Sequence, residues 1–253
     1  MRIATFNILN GRSPADDRVD EERFGSAIRR LDADLLGLQE VDRNQPRSQH
    51  ADLTAIAADA MGARHSLFVA AMSGTPATWS AATGQEPPDS AAYGIAFLSR
   101  YDVRGWQVLR LPGAPVRVPH RFPGRRLPAW VRDEPRVAVL TEVDGPDGRL
   151  DLITTHLSFL RPWNRRQLRR LMAALPSARS HPRVLLGDLN MGPRPAGRLT
   201  GMRPLASGPT FPAGAPRVQI DHILASGALR PARGYVVELP MSDHRALVAD
   251  LSR

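Results

Sequence analysis

The sequence predicts a single α+β domain in which two packed, mostly antiparallel sheets lie between outer helices. Short apolar runs rich in Val, Ile and Leu recur along all 253 residues, and most are bounded by Gly, Pro or Asp, as expected of strands. Fewer segments have apolar residues at helical spacing. Runs 136–143 and 150–155 flank the sequence DGPDGR, which predicts a hairpin. These features together indicate a sandwich of two sheets.

The predicted strands extend over the whole chain, without an internal repeat or a linker, so residues 1–253 are expected to form one domain. The strand segments are 2–9, 34–39, 66–71, 94–98, 103–109, 136–143, 150–155, 184–186, 218–224, 235–237 and 246–251. Apolar residues on one face predict helices over 21–31, 52–61 and 165–175.

Two long segments, 73–93 and 110–135, are rich in Pro, Gly or Arg and have no clear periodicity. In the second, arginines surround His120, Phe122 and Trp130. This segment is either a basic and aromatic lip over a substrate site or an irregular surface loop kept soluble by its arginines. The sequence leaves both interpretations open.

Composition limits the class of protein. The chain is 42% hydrophobic, and no run approaches the roughly 18 apolar residues that a membrane-spanning helix needs. The first residues do not resemble a secretory signal, and the absence of cysteine excludes disulfides, thiolate metal sites and a cysteine nucleophile. The expectation is therefore a cytoplasmic protein without a transmembrane segment.

The net charge of +9 is compatible with a polyanionic partner but does not demonstrate one. All 34 basic residues are arginine, and the chain is also rich in Ala, Gly and Pro. A codon bias toward GC-rich triplets explains this composition. No protein partner can be inferred from it, and a monomer is expected.

Polar residues repeatedly follow the predicted strands. Asp188 and Asn190 come directly after the apolar run 184–186, where they contribute little to stability. The other polar residues placed within or beside predicted strands are Asn7, Asn10, Gln39, Glu40, His156, Asp221, Ser242, Asp243 and His244. Each alone is explained by capping or packing, but converging strand ends can bring them into one pocket. Oxygen ligands suit Mg²⁺ or Mn²⁺, and two histidines suit proton transfer, which together favour phosphoester cleavage.

The ordered motifs TFNILNG, LLGLQEVDR, TTHLSF, LLGDLNMGP, IDHIL and SDHRALV resemble those of the endonuclease/exonuclease/phosphatase superfamily. They span residues 5–248, nearly the whole chain. The resemblance implies a four-layer α/β/β/α sandwich with the catalytic site at one edge of the two sheets.

The resemblance also implies roles for individual residues. Glu40 would be the principal Mg²⁺ ligand, with Asn7 beside it and Asp243 completing the site from the opposite side. Asp188 would orient or deprotonate the attacking water, and Asn190 would hydrogen-bond a phosphoryl oxygen.

The two histidines are treated as a pair, because their division of labour is left open. His244, held in its tautomer by Asp221, would contact the phosphate. His156 would contact the scissile phosphate or protonate the leaving oxygen. His222 alternates onto the opposite face of its strand, where a packing role is expected.

Three further residues are candidate substrate contacts. Asn10 lies just beyond the first strand, Tyr93 lies where some relatives have a phosphate-contacting tyrosine, and Arg136 opens a strand within reach of a phosphate. For Arg136, an ordinary surface role remains the alternative. No acidic residue near Tyr93 is positioned by the sequence to orient His156.

The sequence leaves three functions open. The first is a Mg²⁺-dependent phosphodiesterase, with Mn²⁺ as a possible substitute, acting on nucleic acid or on a phospholipid-like or other small phosphodiester. The second is a phosphomonoesterase for a small or inositol-like phosphate. The third is a non-catalytic module that binds polyanions. The fold does not decide among substrates, because one reaction core serves all of them.

Overall fold

The structure, a computed structural model, describes residues 1–120, 127–176 and 181–252 and confirms the α+β sandwich. In chain order the strands are β1 (Arg2–Asn7), β2 (Arg12–Ser13), β3 (Arg18–Val19), β4 (Leu35–Arg43), β5 (His65–Ser73), β6 (Ser80–Ala81), β7 (Ala92–Ser99), β8 (Val103–Leu111), β9 (Val118–His120), β10 (Ala129–Val131), β11 (Arg136–Gly145), β12 (Gly148–His156), β13 (Arg183–Asp188), β14 (Arg203–Pro204), β15 (Asp221–Ser226), β16 (Pro231–Val237) and β17 (Ala246–Leu251). The helices are α1 (Glu21–Leu31), α2 (Leu53–Met61), α3 (Arg161–Ala174) and α4 (Pro193–Thr200).

Local sequence explains where the first two helices begin. The side chain of Asp20 accepts a hydrogen bond from the backbone N–H of Arg23, and Asp52 does the same for Ala55. These N-caps satisfy backbone donors that have no partner within the helix. Both helices end at a residue in the left-handed conformation, Gly62 in the case of α2.

Two large sheets form the centre of the molecule. The seven-stranded sheet has the order β16-β17-β1-β4-β7-β5-β6, and the six-stranded sheet has the order β14-β15-β13-β12-β11-β8. Each contains one parallel pair, β1 with β4 and β12 with β13, and their other pairs are antiparallel. The expectation of mostly antiparallel sheets is confirmed.

The helices cover the outer faces of this sandwich. Helices α1 and α2 pack on the seven-stranded sheet, where Phe24 and Ile28 contact a core that includes Phe6. Helices α3 and α4 pack on the six-stranded sheet through residues such as Leu168. Alternate residues of the strands fill the space between the sheets. The order of the layers is therefore α/β/β/α.

The two sheets approach each other closely at Gly37. A Cβ at this position would lie 2.0 Å from Cδ1 of Leu186 in β13 and 2.6 Å from Oγ1 of Thr154 in β12. Glycine is required here because no side chain fits between the sheets.

Several predicted boundaries were wrong. The strand predicted over 218–224 begins only at Asp221. Before it, Val218 forms an isolated bridge with Phe211, and the backbone N–H of Ile220 donates to Oγ1 of Thr210. The strand predicted over 34–39 continues to Arg43, with a bulge after Gln39. Helix α4 was not predicted, because the proline and glycine residues of its sequence, PRPAGRLT, are typical of loops. Pro193 occupies the first turn of the helix, where proline is tolerated.

The two unassigned segments contain short strands. Segment 73–93 includes β6, at the edge of the seven-stranded sheet, and segment 110–135 includes the β9–β10 hairpin. Phe122 and the arginines at 121, 125 and 126 lie outside the described residues. Within the described part of the chain, no helix is both long and apolar enough to cross a membrane.

Candidate active site

The strand register brings the predicted site residues to one edge of the sandwich. Parallel pairing of β12 and β13 places His156 opposite Asp188, where both strands end. Antiparallel pairing of β13 and β15 places Asp221 opposite Asp188 from the other side. Asn7 ends β1 and pairs with Gln39, so it lies next to Glu40. Residues far apart in sequence therefore meet because their strands end together.

Asn7 connects the two sheets at this edge. Its Nδ2 donates hydrogen bonds to Oε1 of Glu40 at 3.0 Å and to Oδ2 of Asp188 at 3.1 Å, and its Oδ1 accepts from the backbone N–H of Leu9. Glu40 lies in the bulge of β4 with a φ of 57°. Burial raises the pKa of Glu40, although Asn7, His244 and Arg136 oppose this. Asn7 thus holds both carboxylates in place.

Asp188, Asp221 and His244 form a buried chain of charges. Nδ1 of His244 lies 2.9 Å from Oδ2 of Asp221, and its Nε2 lies 3.9 Å from Oδ2 of Asp188. Burial alone would lower the pKa of His244, but the two carboxylates raise it to about 10, so the ring is protonated at neutral pH. Burial and the charge of Asp221 raise the pKa of Asp188 to about 7.

His156 is in the opposite protonation state. Burial and the positive charges of Arg136 and His244 lower the pKa of its ring well below the usual value. Nη1 of Arg136 lies 3.2 Å from Nδ1 of His156, and Nε2 of His156 lies 3.6 Å from Oδ2 of Asp188. Because a guanidinium only donates, Nδ1 accepts and the proton of the neutral ring is on Nε2, toward Asp188. Arg136 therefore orients His156, which the sequence left unexplained.

Asn190 is fixed by several hydrogen bonds. Its backbone N–H donates to Oδ1 of Asp188 at 2.9 Å, and its carbonyl accepts from Asn164 of α3. Its Nδ2 donates to the carbonyl of Leu157 at 2.9 Å and lies 3.3 Å from Nε2 of His156. The amide consequently lies beside His156, at the cleft.

The loop that contains Asp243 and His244 directly precedes β17. Oγ of Ser242 donates to the carbonyl of Asn7 at 2.6 Å and accepts from the N–H of His244. These bonds tie the loop to the end of β1. The Asp243 carboxylate is close enough to raise the pKa of Glu40.

A cleft of about 370 Å³ contains most of the predicted residues. Its lining includes eight of them, Asn10, Glu40, Tyr93, Arg136, His156, Asp188, Asn190 and His244. Asn7, Asp221 and Asp243 contact or influence this lining without being part of it. His222 is buried away from the cleft, with Nε2 2.8 Å from the carbonyl of Met191, which agrees with the expected packing role.

One wall of the cleft is formed by residues that were not predicted from the sequence. Arg47 donates from Nε and Nη2 to the carboxylate of Asp42, at 2.8 and 2.7 Å, and from Nη2 to Oδ1 of Asn10 at 2.9 Å. Its guanidinium lies over the rings of Trp79 and Tyr93, which stack with centroids 5.4 Å apart. The one signal in the sequence was a charged pair, Asp42 and Arg43, two residues after Glu40.

The model of the endonuclease/exonuclease/phosphatase family matches residues 4–244. The chain belongs to this family. Members of the family hydrolyse phosphoesters and are typically metal-dependent. A comparison with curated proteins gave no match.

Solved structures agree with the family fold. An endonuclease/exonuclease/phosphatase from Beutenbergia cavernae is 25% identical, with a TM-score of 0.71 over 99% of this chain and 71% of that chain. A mannosyl-6-phosphatase from Bacteroides thetaiotaomicron is 15% identical, with a TM-score of 0.67 over the full length of both chains. Truncated TDP2 from Caenorhabditis elegans is 17% identical, with a TM-score of 0.62 over 100% of this chain and 97% of that chain. At these low identities the last two show the fold alone.

The donor atoms at the family site fit a hard divalent cation. Glu40 and Asp243 repel each other, and Oδ1 of Asp221 is buried without a hydrogen-bond partner among the described residues. Carboxylate oxygens are the ligands that Mg²⁺ and Mn²⁺ prefer. Asp188, Asp221 and His244 are also close enough together to hold an ion, but His244 is already protonated and bonded to Asp221. Glu40 and Asp243 are the better candidates.

A second group of possible ligands, Glu142, Asp151 and His181, lies outside this cleft. Glu142 pairs with Arg149 at 3.3 Å, and Asp151 pairs with Arg183 at 3.5 Å. Because these arginines already neutralise the carboxylates, the group explains no metal-dependent chemistry.

Proposed function

We propose that the protein is a Mg²⁺-dependent phosphodiesterase in which Asp188 activates the attacking water. The observation that carries this proposal is the meeting of Glu40, Asp188, a protonated His244 and a neutral His156 at one cleft. Mn²⁺ is expected to replace Mg²⁺, because both prefer oxygen ligands.

The side chains divide the reaction among them. Asp188, with a pKa of about 7, accepts a proton from water, since a general base works best when its pKa is near the working pH. The water oxygen forms a bond to phosphorus, and the bond to the leaving oxygen breaks. A divalent cation held by Glu40 and Asp243, with Asn7 beside them, would neutralise charge on the phosphoryl oxygens.

The two histidines have different tasks in this proposal. His244 is the cationic donor, and its contact with a phosphoryl oxygen stabilises the charge that develops there. His156 is neutral and carries its proton on Nε2, which lies 3.6 Å from Oδ2 of Asp188. Arg136 sets this tautomer by donating to Nδ1. The pair therefore supplies one charged and one neutral donor.

The charge of the cleft favours a diester over a monoester. A monoester carries nearly two negative charges at neutral pH, whereas a diester carries one. Both arginines of the cleft already have carboxylate partners, Arg47 with Asp42 and Arg136 with Glu134 at 3.2 Å. Glu134 also lines the cleft and would repel a dianion. The similar fold of a mannosyl-6-phosphatase keeps the monoester as the second candidate.

The test is a comparison of bis(p-nitrophenyl) phosphate with p-nitrophenyl phosphate, each with Mg²⁺, with Mn²⁺ and with EDTA. We expect the diester to have the larger kcat/KM and EDTA to abolish turnover of both. Asp188→Asn should lower kcat by about 10²–10⁴-fold, since it removes the general base. Glu40→Gln should raise the Mg²⁺ concentration needed for half-maximal rate.

Glu142→Gln is the matched control, because it removes a carboxylate from the other group of possible metal ligands. It should leave the rate and the Mg²⁺ requirement unchanged. A larger kcat/KM for the monoester would favour the phosphomonoesterase. If neither Glu40→Gln nor Asp188→Asn altered the rate, or if neither ester were hydrolysed with metal present, the non-catalytic module would be favoured.

A further inference from the structure

A second cavity, of about 680 Å³, adjoins the catalytic cleft and shares Trp79 and Arg136 with it. We call it the side groove. It lies between the β5–β6 edge of the seven-stranded sheet and the segments 110–115 and 132–137. A molecule whose phosphate is bound in the cleft can therefore extend past Trp79 and Arg136 into this groove.

The lining of the side groove differs in character from that of the cleft. Apolar groups such as Met72, Leu111, Pro115 and Val137 form most of its surface, whereas the cleft is lined by carboxylates and histidines. Asp133 also lies in the groove wall, but its carboxylate accepts hydrogen bonds from the N–H of Ala114 and from Ser158. Three arginines also lie in the groove wall: Arg110 donates to the carbonyl of Ala70, Arg136 pairs with Glu134, and Arg132 is exposed to solvent. Apart from the exposed Arg132, the groove therefore offers mainly apolar surface.

We propose that the side groove binds an aliphatic chain on one ester oxygen of the phosphodiester substrate. This inference rests on the proposed function, and it names the chemical class of the substrate. A nucleoside in the groove would leave hydrogen-bonding groups of its sugar and base unpaired, which is costly in an apolar site. An aliphatic chain has no such groups, and the groove has the size of ordinary small-molecule sites.

The expected signature is a rate that depends on chain length. Each methylene removed from water by the groove should raise kcat/KM by about fourfold. The probes are p-nitrophenyl esters of methyl, butyl and octyl phosphate, used below the concentrations at which they aggregate. Water adds to phosphorus, the bond to p-nitrophenolate breaks, and the alkyl phosphate retains the chain, so release of nitrophenolate reports the rate.

Variants at two exposed alanines of segment 73–93 separate the groove from other effects. Ala81 lines the groove and is exposed, so Ala81→Trp fills it; Ala77 is exposed and does not line it, so Ala77→Trp is the matched control. Ala114→Trp blocks the groove from the opposite wall if Ala81→Trp fails to fold, which circular dichroism would reveal.

We expect the chain-length dependence in the wild type and in Ala77→Trp, and its loss in Ala81→Trp or Ala114→Trp. The methyl ester should be hydrolysed at similar rates by all of them. Equal kcat/KM for the three esters in the wild type would overturn the inference, as would a dependence that survives both groove-filling variants. Hydrolysis of the methyl ester with metal present would in either case leave the proposed function standing, whereas its absence would contradict that function.

Discussion

The pair of Asp42 and Arg47 connects the stability of the protein to the shape of its cleft. The Asp42 side chain is completely buried, whereas that of Arg47 is 34% exposed. Arg47→Met removes two charge-assisted hydrogen bonds from a carboxylate that has no access to water. Breaking a buried ion pair from one side costs about 3–5 kcal/mol. We expect about 3 kcal/mol here, because partial exposure of Arg47 weakens the attraction in the wild type.

This loss has a predictable size in a denaturation experiment. For a chain of this length, about 3 kcal/mol corresponds to a decrease in Tm of about 6–12 °C. Asp42→Asn alone should cost less, about 1–2 kcal/mol, because the guanidinium of Arg47 can turn toward solvent. The double variant Asp42→Asn, Arg47→Met should recover about 2 kcal/mol relative to Arg47→Met, since no charge remains buried.

The pH dependence of Arg47→Met follows from the pKa of Asp42. Burial raises this pKa even though Arg47 lowers it, so removal of Arg47 raises it further. A carboxyl group whose pKa is higher in the folded state binds protons more tightly when folded, and its contribution to stability falls as pH rises. The deficit of Arg47→Met should therefore be larger at pH 7 than at pH 5.

Urea unfolding followed by far-ultraviolet circular dichroism, at both pH values, measures these differences. Steady-state kinetics with bis(p-nitrophenyl) phosphate should show a raised KM in both variants that lack Arg47, because the guanidinium lines the cleft. Stability is thus restored in the double variant while KM is not. A double variant no more stable than Arg47→Met would refute the account of a buried carboxylate held by its guanidinium.

Three further predictions concern the metal, the sheet interface and a buried histidine. Mg²⁺ or Mn²⁺ at about 100 times its Kd should stabilise the wild type by about 2.7 kcal/mol, which is measured as a rise in Tm. Glu40→Gln should suppress this rise. An equal rise in the variant would contradict the assignment of Glu40 as a metal ligand. Gly37→Val should lower the free energy of unfolding by about 1–3 kcal/mol or more, because the Cβ of the valine would lie 2.0 Å from Cδ1 of Leu186. An unchanged Tm would show that the two sheets can move apart at this point. Burial lowers the pKa of His222 in the folded protein, so the contribution of this residue to stability falls as pH drops below 6.5. The free energy of unfolding of the wild type, relative to that of His222→Gln, should therefore be smaller at pH 5.5 than at pH 7.5.

Regular strands were the part of the fold that sequence could predict. Strands such as β1 and β13 are buried on both faces and contain short apolar runs, a local pattern that can be read without knowledge of distant contacts. Helix α4 was not predicted because Pro193 and Gly197 weaken its local helical pattern. The helix is stabilised instead by packing of Ala196 in the apolar cluster that also contains Leu168 of α3. The start of β15 was misplaced because the residues before it pair with Phe211 and Thr210, outside the strands of the sheet.

The candidate site, like the fold, could be predicted only in part from the sequence. Asp188, His156 and His244 are in motifs that point to their chemistry, so the sequence alone makes them candidates. Their protonation states depend on burial and on neighbours across both sheets, which no motif contains. Arg47 and Trp79 were missed because their contact joins the segment after β4 to the long segment 73–93. Tertiary structure, and not local pattern, creates that wall of the cleft.

Four residues with left-handed backbone lie where the candidate site is built. Glu40, Asn10 and Asn190 line the cleft, and all three have positive φ, at 57°, 58° and 49°; Ser242, which anchors the loop of His244, has a φ of 64°. Left-handed backbone at residues other than glycine costs free energy that the surrounding structure must offset. Here the offset comes from hydrogen bonds, Asn7 to Glu40, Arg47 to Asn10, Asn164 to Asn190 and Ser242 to Asn7. The residues beside the candidate catalytic groups therefore hold the strained conformations in place. Because these hydrogen bonds need buried donors and acceptors, polar side chains are buried at an edge where apolar packing would be more stable.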